Sequence, residues 1–342
     1  MDNSSERCKI VVDAMGGDYA PENSVLGAIQ ASQENSDFDL FLVGRKNEIL
    51  RVIEEKKLSF DHSKIIEADE VIEMGESPTE AIKKKANSSI VVGAKYVQEK
   101  KAHAFVSAGN TGAMMAASTL IMGRLPHVGR PTIGAEFPST KGICYVFDVG
   151  AGKDAKPNHL FEYAIIGSIY ARDLGGVKNP QVGLLSMGEE ESKGNEVTSA
   201  AFRLLKESKL NFVGNVEGRD ILTGKVDVVV CDGFIGNIIL KFGESVPKLL
   251  KHLLNKTAQK NFWDKIKIGL LKGTLKKALR DLDYQEHGGV PLLGVNGISI
   301  IGHGSSTPKA IKNMVLRALD VYNKKLNQKI EDSLKEYISL TV

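Results

Sequence analysis

His103-Ala-Phe-Val-Ser-Ala-Gly-Asn-Thr-Gly112 runs an apolar strand straight into a turn of hydroxyls, an amide and two glycines, and Ala113–Gly123 continues as a helix. A strand that is apolar without alternation is buried on both faces, the habit of a parallel sheet. The pattern repeats outward in both directions. Further strands are expected at Lys9–Asp13, Phe38–Val43, Gly142–Val149, Gln181–Ser186, Val226–Cys231 and Ile298–Gly302. Helical patterns lie between them at Pro21–Glu34, Ser88–Lys101, His159–Asp173, Glu196–Glu207 and Gly236–Leu254. Such alternation packs most economically as a three-layer α/β/α unit around a mostly parallel sheet. No tandem repeat or low-complexity linker divides the chain, so residues 1–342 read as one domain.

Six strand ends lead into glycine-rich polar turns: Asp13-Ala-Met-Gly-Gly-Asp18, Ser107–Gly112, Asp148-Val-Gly-Ala-Gly152, Ser186-Met-Gly188, Asp232-Gly233 and Gly302-His-Gly-Ser-Ser306. In open parallel sheets the carboxyl ends gather at one edge, where ligands bind. Glycine lets backbone approach a ligand, and a helix start offers N–H groups to an anion. Together the turns predict one composite anion site. Ser107, Asn110 and Thr111 supply donors in one turn. In Asn215-Val-Glu-Gly-Arg219-Asp220, after a short strand Asn211–Val213, Arg219 can grip phosphate through its planar fork, held by Glu217 and Asp220. Lys193, just before a helix start, and His303, between two glycines, complete the cationic candidates; Ser305 and Ser306 are placed to cap the helix Pro308–Asn323. Asp13 and Asp18 would repel phosphate. With Gly16 and Gly17 they read as support that orients cations or caps helices.

Other classes find little footing. A net charge of +3 gives no case for nucleic acid. Cys8, Cys144 and Cys231 form no CxxC pair, which argues against a disulfide framework or a zinc site and fits a reducing cytoplasm. Met1–Arg7 is polar with no apolar run behind it, and no stretch approaches the roughly 18 apolar residues of a membrane span. A cytoplasmic protein is expected, at most peripheral on the inner face of the cell membrane. Gly-x-Ser-x-Gly and Walker A motifs are missing, and the first turn lacks GxGxxG spacing.

Residues 250–287 stand apart as a basic amphipathic lobe. Lys251 to Arg280 carries nine basic residues, Lys272 and Lys276 among them, against the single acid Asp264. Leu271, Leu275, Ala278, Leu279 and Leu282 share one helical face; Phe262, Trp263, Ile266 and Leu270 form a second apolar patch. Gly269 and Gly273 are expected to break the segment into two short helices. A basic hairpin carrying the chain's only tryptophan reads as a contact for an anionic membrane or an acidic partner. The alternative is a solvated helix packed on the core or on a second subunit.

Several long segments, in order, resemble the phosphate acyltransferase (PlsX) family of bacterial phospholipid synthesis. They are Val12-Asp-Ala-Met-Gly-Gly-Asp-Tyr-Ala-Pro21, Ser107–Ala113, Gly214-Asn-Val-Glu-Gly-Arg-Asp-Ile221, Asp227-Val-Val-Val-Cys-Asp-Gly-Phe-Ile-Gly-Asn237, His287-Gly-Gly-Val-Pro-Leu-Leu-Gly-Val295 and Ile301–Ser306. The resemblance implies transfer of a fatty acyl group from the thioester of acyl carrier protein to inorganic phosphate. It also implies a homodimer, no metal or nucleotide cofactor, and a fold related to phosphotransacetylases and isopropylmalate-type dehydrogenases. Asp232 and Asn237 join the supporting residues on this ground, and Asn215 joins the phosphate-binding ones. One departure accompanies it: Gly152 stands where the family pattern carries Asn, so no ligand role is given to that turn.

Phosphate near neutral pH is already a dianion in substantial part, so its attack needs little help from a strong base. What it needs is a fixed set of donors beside the thioester and for the oxyanion. His303 or Lys193 can protonate the leaving thiolate. Two rival readings stay open: a phosphotransacetylase acting on short acyl-CoA, and a non-catalytic anion-sensing or carrier-binding scaffold.

Overall fold

The computed structural model describes residues 6–259, 261–278 and 288–339. Among them eleven strands form one sheet. In chain order they are β1 Cys8–Asp13, β2 Phe38–Gly44, β3 Ile65–Glu67, β4 Ala104–Ser107, β5 Thr132–Ser139, β6 Gly142–Phe147, β7 Val182–Leu185, β8 Phe212–Val216, β9 Val228–Val230, β10 Val290–Leu293 and β11 Ile298–Ile301. The spatial order is β3-β2-β1-β4-β11-β10-β5-β6-β9-β7-β8. Two parallel sets, β3-β2-β1-β4-β11 and β6-β9-β7-β8, flank the antiparallel β10 and β5.

Alternate residues of each strand feed two cores, one per face. Ile10, Val12, Val106 and Phe147 pack on one side with helices Glu22–Glu34, Pro157–Asp173 and Pro308–Asn323. Val11, Phe105 and Val146 pack on the other with helices Ser89–Gln98 and Thr111–Ala117. The three-layer expectation is met.

The expectation of a single ligand-binding edge needs correction. β10 reverses direction against β11, β5 reverses again, and β6 once more, so the second parallel set runs opposite to the first. The register places Ile301 opposite Val290, and Phe147 opposite Gly134, just past the Ile133–Leu292 pair. The carboxyl ends of the two sets therefore reach the same level from opposite directions and face each other. Only two residue pairs, Leu292 with Ile133 and Leu293 with Thr132, join β10 to β5. The residue that would extend this seam is Pro291, which has no N–H to give. Beyond the seam the strands part.

Other local expectations also change. β3, β5 and β10 carried no strand pattern that was read as such. β8 reaches Val216, so Asn215 lies within the strand rather than after it. Helix Phe262–Ala278 is unbroken through Gly269 and Gly273, each of which costs only about 1 kcal/mol in a helix interior. It packs against the long helix Gly233–Ala258. Leu279, Arg280 and Leu282 lie outside the described residues, as do the side chains of Lys272, Leu275, Lys276 and Ala278. No described helix is long and apolar enough to cross a membrane.

Gly27 lets helix Glu22–Glu34 touch helix Pro308–Asn323: a Cβ there would stand 2.6 Å from Ile311 Cβ. Gly27→Ala is expected to cost about 1–3 kcal/mol through overpacking, read as a lower urea midpoint. An unchanged midpoint would mean that the two helices can separate freely.

Candidate active site

The first carboxyl edge is built around a buried carboxylate. Asp13 ends β1, with Oδ2 accepting from Ser107 Oγ at 2.7 Å and Oδ1 from the Met15 N–H at 2.9 Å. Ser107 Oγ in turn accepts from the Gly109 N–H at 3.0 Å. A Cβ on Gly16 would lie 2.7 Å from Asp13 Oδ2 and 2.8 Å from Ser107 Oγ, so only glycine fits there. Burial raises the Asp13 carboxyl above its ordinary range, and these donors pull it back. The Asp18 N–H donates to Gly304 O at 2.7 Å, and the Gly302 N–H to Ser107 O at 2.8 Å. Three turns are thereby locked into one body, with Gly17 in the left-handed region at φ +109°.

This arrangement sorts the expected donors. The Ser107 hydroxyl is committed to Asp13 and Gly109. Asn110 caps its helix by accepting from the Ala113 N–H at 3.0 Å. Its amide nitrogen donates to the carbonyls of Glu73, Met74 and Glu76. Both residues hold backbone in place. Thr111, the first residue of that helix, is exposed. His303 is exposed, and its Nδ1 accepts from the Ser305 N–H at 3.2 Å and lies 2.8 Å from Ser305 Oγ. Because a backbone N–H can only donate, the neutral ring carries its proton on Nε2. The helix Pro308–Asn323 is capped by Thr307, and not by Ser305 or Ser306; Ser306 Oγ instead donates to His303 O at 2.6 Å.

The second edge repeats the device with a residue to which the sequence reading gave no role. Asp148 directly follows β6 and is wholly buried. Its carboxylate accepts from the N–H groups of Ile133, Gly150, Ala151 and Gly152, at 2.8–3.2 Å. Burial raises this carboxyl too, against the pull of those four donors. Asp232 caps helix Gly233–Ala258 through the Phe234 and Ile235 N–H groups, both at 3.0 Å. Gly233 and Gly236 leave no space for a Cβ against Asp148, which seats that helix directly on the turn. Cys231 donates to Asp148 O at 3.4 Å, and burial pushes its thiol well above the ordinary value. Cys8 and Cys144 are pushed up to about 12. None of the three is a ready thiolate nucleophile.

Where the strands part, the two edges enclose a cleft of about 450 Å³. Thr111, Gly112, Gly302 and His303 line it from the first edge; Gly150, Asn237, Leu240 and Lys241 line it from the second. Met115, Ile133, Val290 and Ile301 make it apolar between them, and Glu136 and Tyr170 reach it from β5 and helix Pro157–Asp173. The remaining expected residues sit farther out. β7 and β8 lie two and three strands from β6, roughly 10 and 14 Å at the usual spacing. Asn215 donates to the carbonyls of Glu190 and Lys193, holding the turn that carries the exposed Lys193 side chain. Arg219 pairs with Glu217 at 3.0 Å, and Asp220 accepts from the Glu217 N–H instead of gripping the guanidinium.

The fold is that of phosphotransacetylases. A phosphotransacetylase from Streptococcus pyogenes superposes with TM-score 0.62 at 17% identity, over 93% of this chain and 95% of that one. A second, from Staphylococcus aureus, gives 0.59 at 17% identity over the same shares. Residues 8–329 match the family described as fatty acid synthesis protein. The chain is 49% identical to the phosphate acyltransferase of Halothermothrix orenii over 92% of its length and 95% of that protein's. Against the phosphate acyltransferase of Pelotomaculum thermopropionicum it is 46% identical, over 96% and 95%. The chain belongs to the phosphate acyltransferase family.

Asp148→Asn replaces one acceptor oxygen with an amide nitrogen, which cannot accept. It is expected to cost about 1–3 kcal/mol for each N–H left unpaired, with faster amide exchange at Gly150–Gly152. Unchanged exchange there would show that the turn holds itself without the carboxylate.

Proposed function

We propose that acyl transfer from the thioester of acyl carrier protein to inorganic phosphate takes place in the cleft between the opposed carboxyl edges. The observation that carries this reading is the meeting of the Thr111–Gly112, Gly150 and Gly302–His303 turns around one opening. Family membership supplies the acyl transfer to phosphate; the cleft supplies a place where an anion and an apolar chain can lie side by side. In the reaction a phosphate oxygen attacks the thioester carbon, the tetrahedral oxyanion collapses, and the C–S bond breaks. The proton lost by monohydrogen phosphate ends on the departing sulfur, so the balance is closed. Thr111 and backbone N–H groups serve the phosphate, and His303, as imidazolium, gives its Nε2 proton to the leaving thiolate and is recharged by the proton the phosphate loses. Transfer is direct in this reading, since each cysteine is buried and burial raises its thiol above the ordinary value.

His303→Gln is expected to lower kcat roughly 10²-fold or more, the usual weight of a general acid. Thr111→Val should raise the KM for phosphate, and Cys231→Ser should keep most turnover. Incubation with palmitoyl–acyl carrier protein, acetyl-CoA and phosphate, with acyl phosphate trapped by hydroxylamine, checks all three. Acetyl phosphate as the main product would establish the short-chain phosphotransacetylase reading, and absence of any acyl phosphate the scaffold reading. Lys193 and Arg219 are further proposed as anion contacts at the outer edge. Unchanged phosphate dependence in Lys193→Ala and Arg219→Lys would assign both to solvent.

The helical lobe is proposed to serve a second copy of the chain and an anionic membrane surface. Phe234, Ile238, Phe242 and Leu249 form an exposed apolar stripe on helix Gly233–Ala258 suited to a homodimer. Trp263, 69% exposed, and Leu270, 80% exposed, lie on the helix beyond it among lysines, as an interfacial contact requires. Each lysine near an anionic surface adds about 1 kcal/mol, so vesicle binding should weaken as salt shortens the Debye length from about 10 Å at 0.1 M to about 3 Å at 1 M. Leu270→Glu with Leu271→Glu should abolish flotation with phosphatidylglycerol vesicles and spare turnover of soluble donor. A monomer on light scattering instead would move these leucines to the subunit interface.

A further inference from the structure

One charged knot crosses the parting in the sheet. Glu136 lies on β5, paired in register with Tyr145 of β6, and its Oε1 accepts from Tyr170 Oη at 3.1 Å. Tyr170 is held by edge-on contacts with Tyr145 and Phe147, at 5.4 and 5.7 Å between ring centres. The same Glu136 oxygen lies 3.3 Å from an Arg317 guanidinium nitrogen. Arg317 comes from the opposite side: its helix Pro308–Asn323 packs on helix Glu22–Glu34 and on β1, β4 and β11. Glu136 and Arg317 side chains are only 14% and 19% exposed, so the pair is shielded. Glu136 and Tyr170 line the cleft, as does Ala310 from Arg317's own helix.

The backbone seam between the halves is two residue pairs long, which leaves side chains to fix how far apart the cleft walls stand. The walls decide which acceptor reaches the thioester. Water at the same carbon would give a carboxylate, a proton and the free thiol, and water is present in large excess over phosphate. Excluding it depends on the fit of the closed walls. We propose that Glu136 and Arg317, seated on Tyr170, are positioning residues that set the cleft width and thereby the preference for phosphate over water as acyl acceptor. This rests on the cleft being the reaction site.

A natural control exists. Lys329 and Asp173 pair at 3.0 Å and also join the C-terminal helix Leu326–Ser339 to helix Pro157–Asp173, but neither lines the cleft. The experiment measures initial rates of acyl phosphate and free palmitate formation from palmitoyl–acyl carrier protein, the KM for phosphate, and the thermal midpoint. Glu136→Gln, Arg317→Met and the double variant that removes both charges are compared with Lys329→Met. Glu136→Gln and the double variant should raise the ratio of palmitate to acyl phosphate roughly ten- to hundredfold and raise the phosphate KM more than they lower kcat, as a displaced wall would. Lys329→Met should lower the midpoint and leave the ratio alone. If Arg317→Met does not fold, the double variant, with no orphaned charge, still gives the answer. An unchanged ratio in folded Glu136→Gln and double variants overturns the proposal. So does an equal change in Lys329→Met, which would make the effect one of general stability. Were Thr111→Val and His303→Gln also without effect, the cleft reading itself would fall; if they alone impair turnover, only the role of the pair falls.

Discussion

Two residue pairs between β10 and β5, ended by a proline that cannot extend them, govern how the molecule is used. Had the sheet been parallel throughout, its glycine-rich turns would line one long edge, with the outermost two roughly 34 Å apart at the usual strand spacing. The reversals across β10, β5 and β6 turn one set of carboxyl ends to face the other. The cleft lies where β10 and β5 stop pairing, lined by Gly134 and Glu136 on one side and Val290 and Ile301 on the other.

Each edge is then fixed by the same economy. A carboxylate buried at a strand end is costly unless hydrogen-bonded. Asp13 and Asp148 meet that demand with hydroxyl and backbone donors drawn from the turns around them. The cost of burying the charge therefore becomes rigidity of the turns. Glycines at positions 16, 233 and 236 are required because the carboxylates and their neighbours fill the space a side chain would need. Preorganised backbone of this kind suits a reaction that needs fixed donors more than a strong base.

Much of this was legible in the sequence, and the failures have physical causes. The buried parallel strands and the turns after them announce themselves by unbroken apolar runs and glycines. β5 is different: Thr132-Ile-Gly-Ala-Glu-Phe-Pro-Ser139 mixes a charge, a glycine and a proline, since it borders the cleft and pairs with β10 over two residues only. Missing β5 and β10 hid the reversal, and with it the cleft. Ser107 and Asn110 answer to the donor signal of the turn, and their side chains bond Asp13 and turn backbone, because residues that hydrogen-bond a ligand and residues that cap a turn are the same types. Glu136, Tyr170 and Arg317 left no trace in spacing: they sit on three elements far apart in sequence, and only tertiary packing brings them together.

The central claim is that the acceptor anion binds between the opposed edges. Crystals soaked in arsenate, a phosphate surrogate with an anomalous signal, test it most directly. The expected result is an arsenic peak within hydrogen-bonding reach of Thr111 and His303, facing Gly150. A peak confined to Lys193 and Arg219, with the cleft empty, would contradict it.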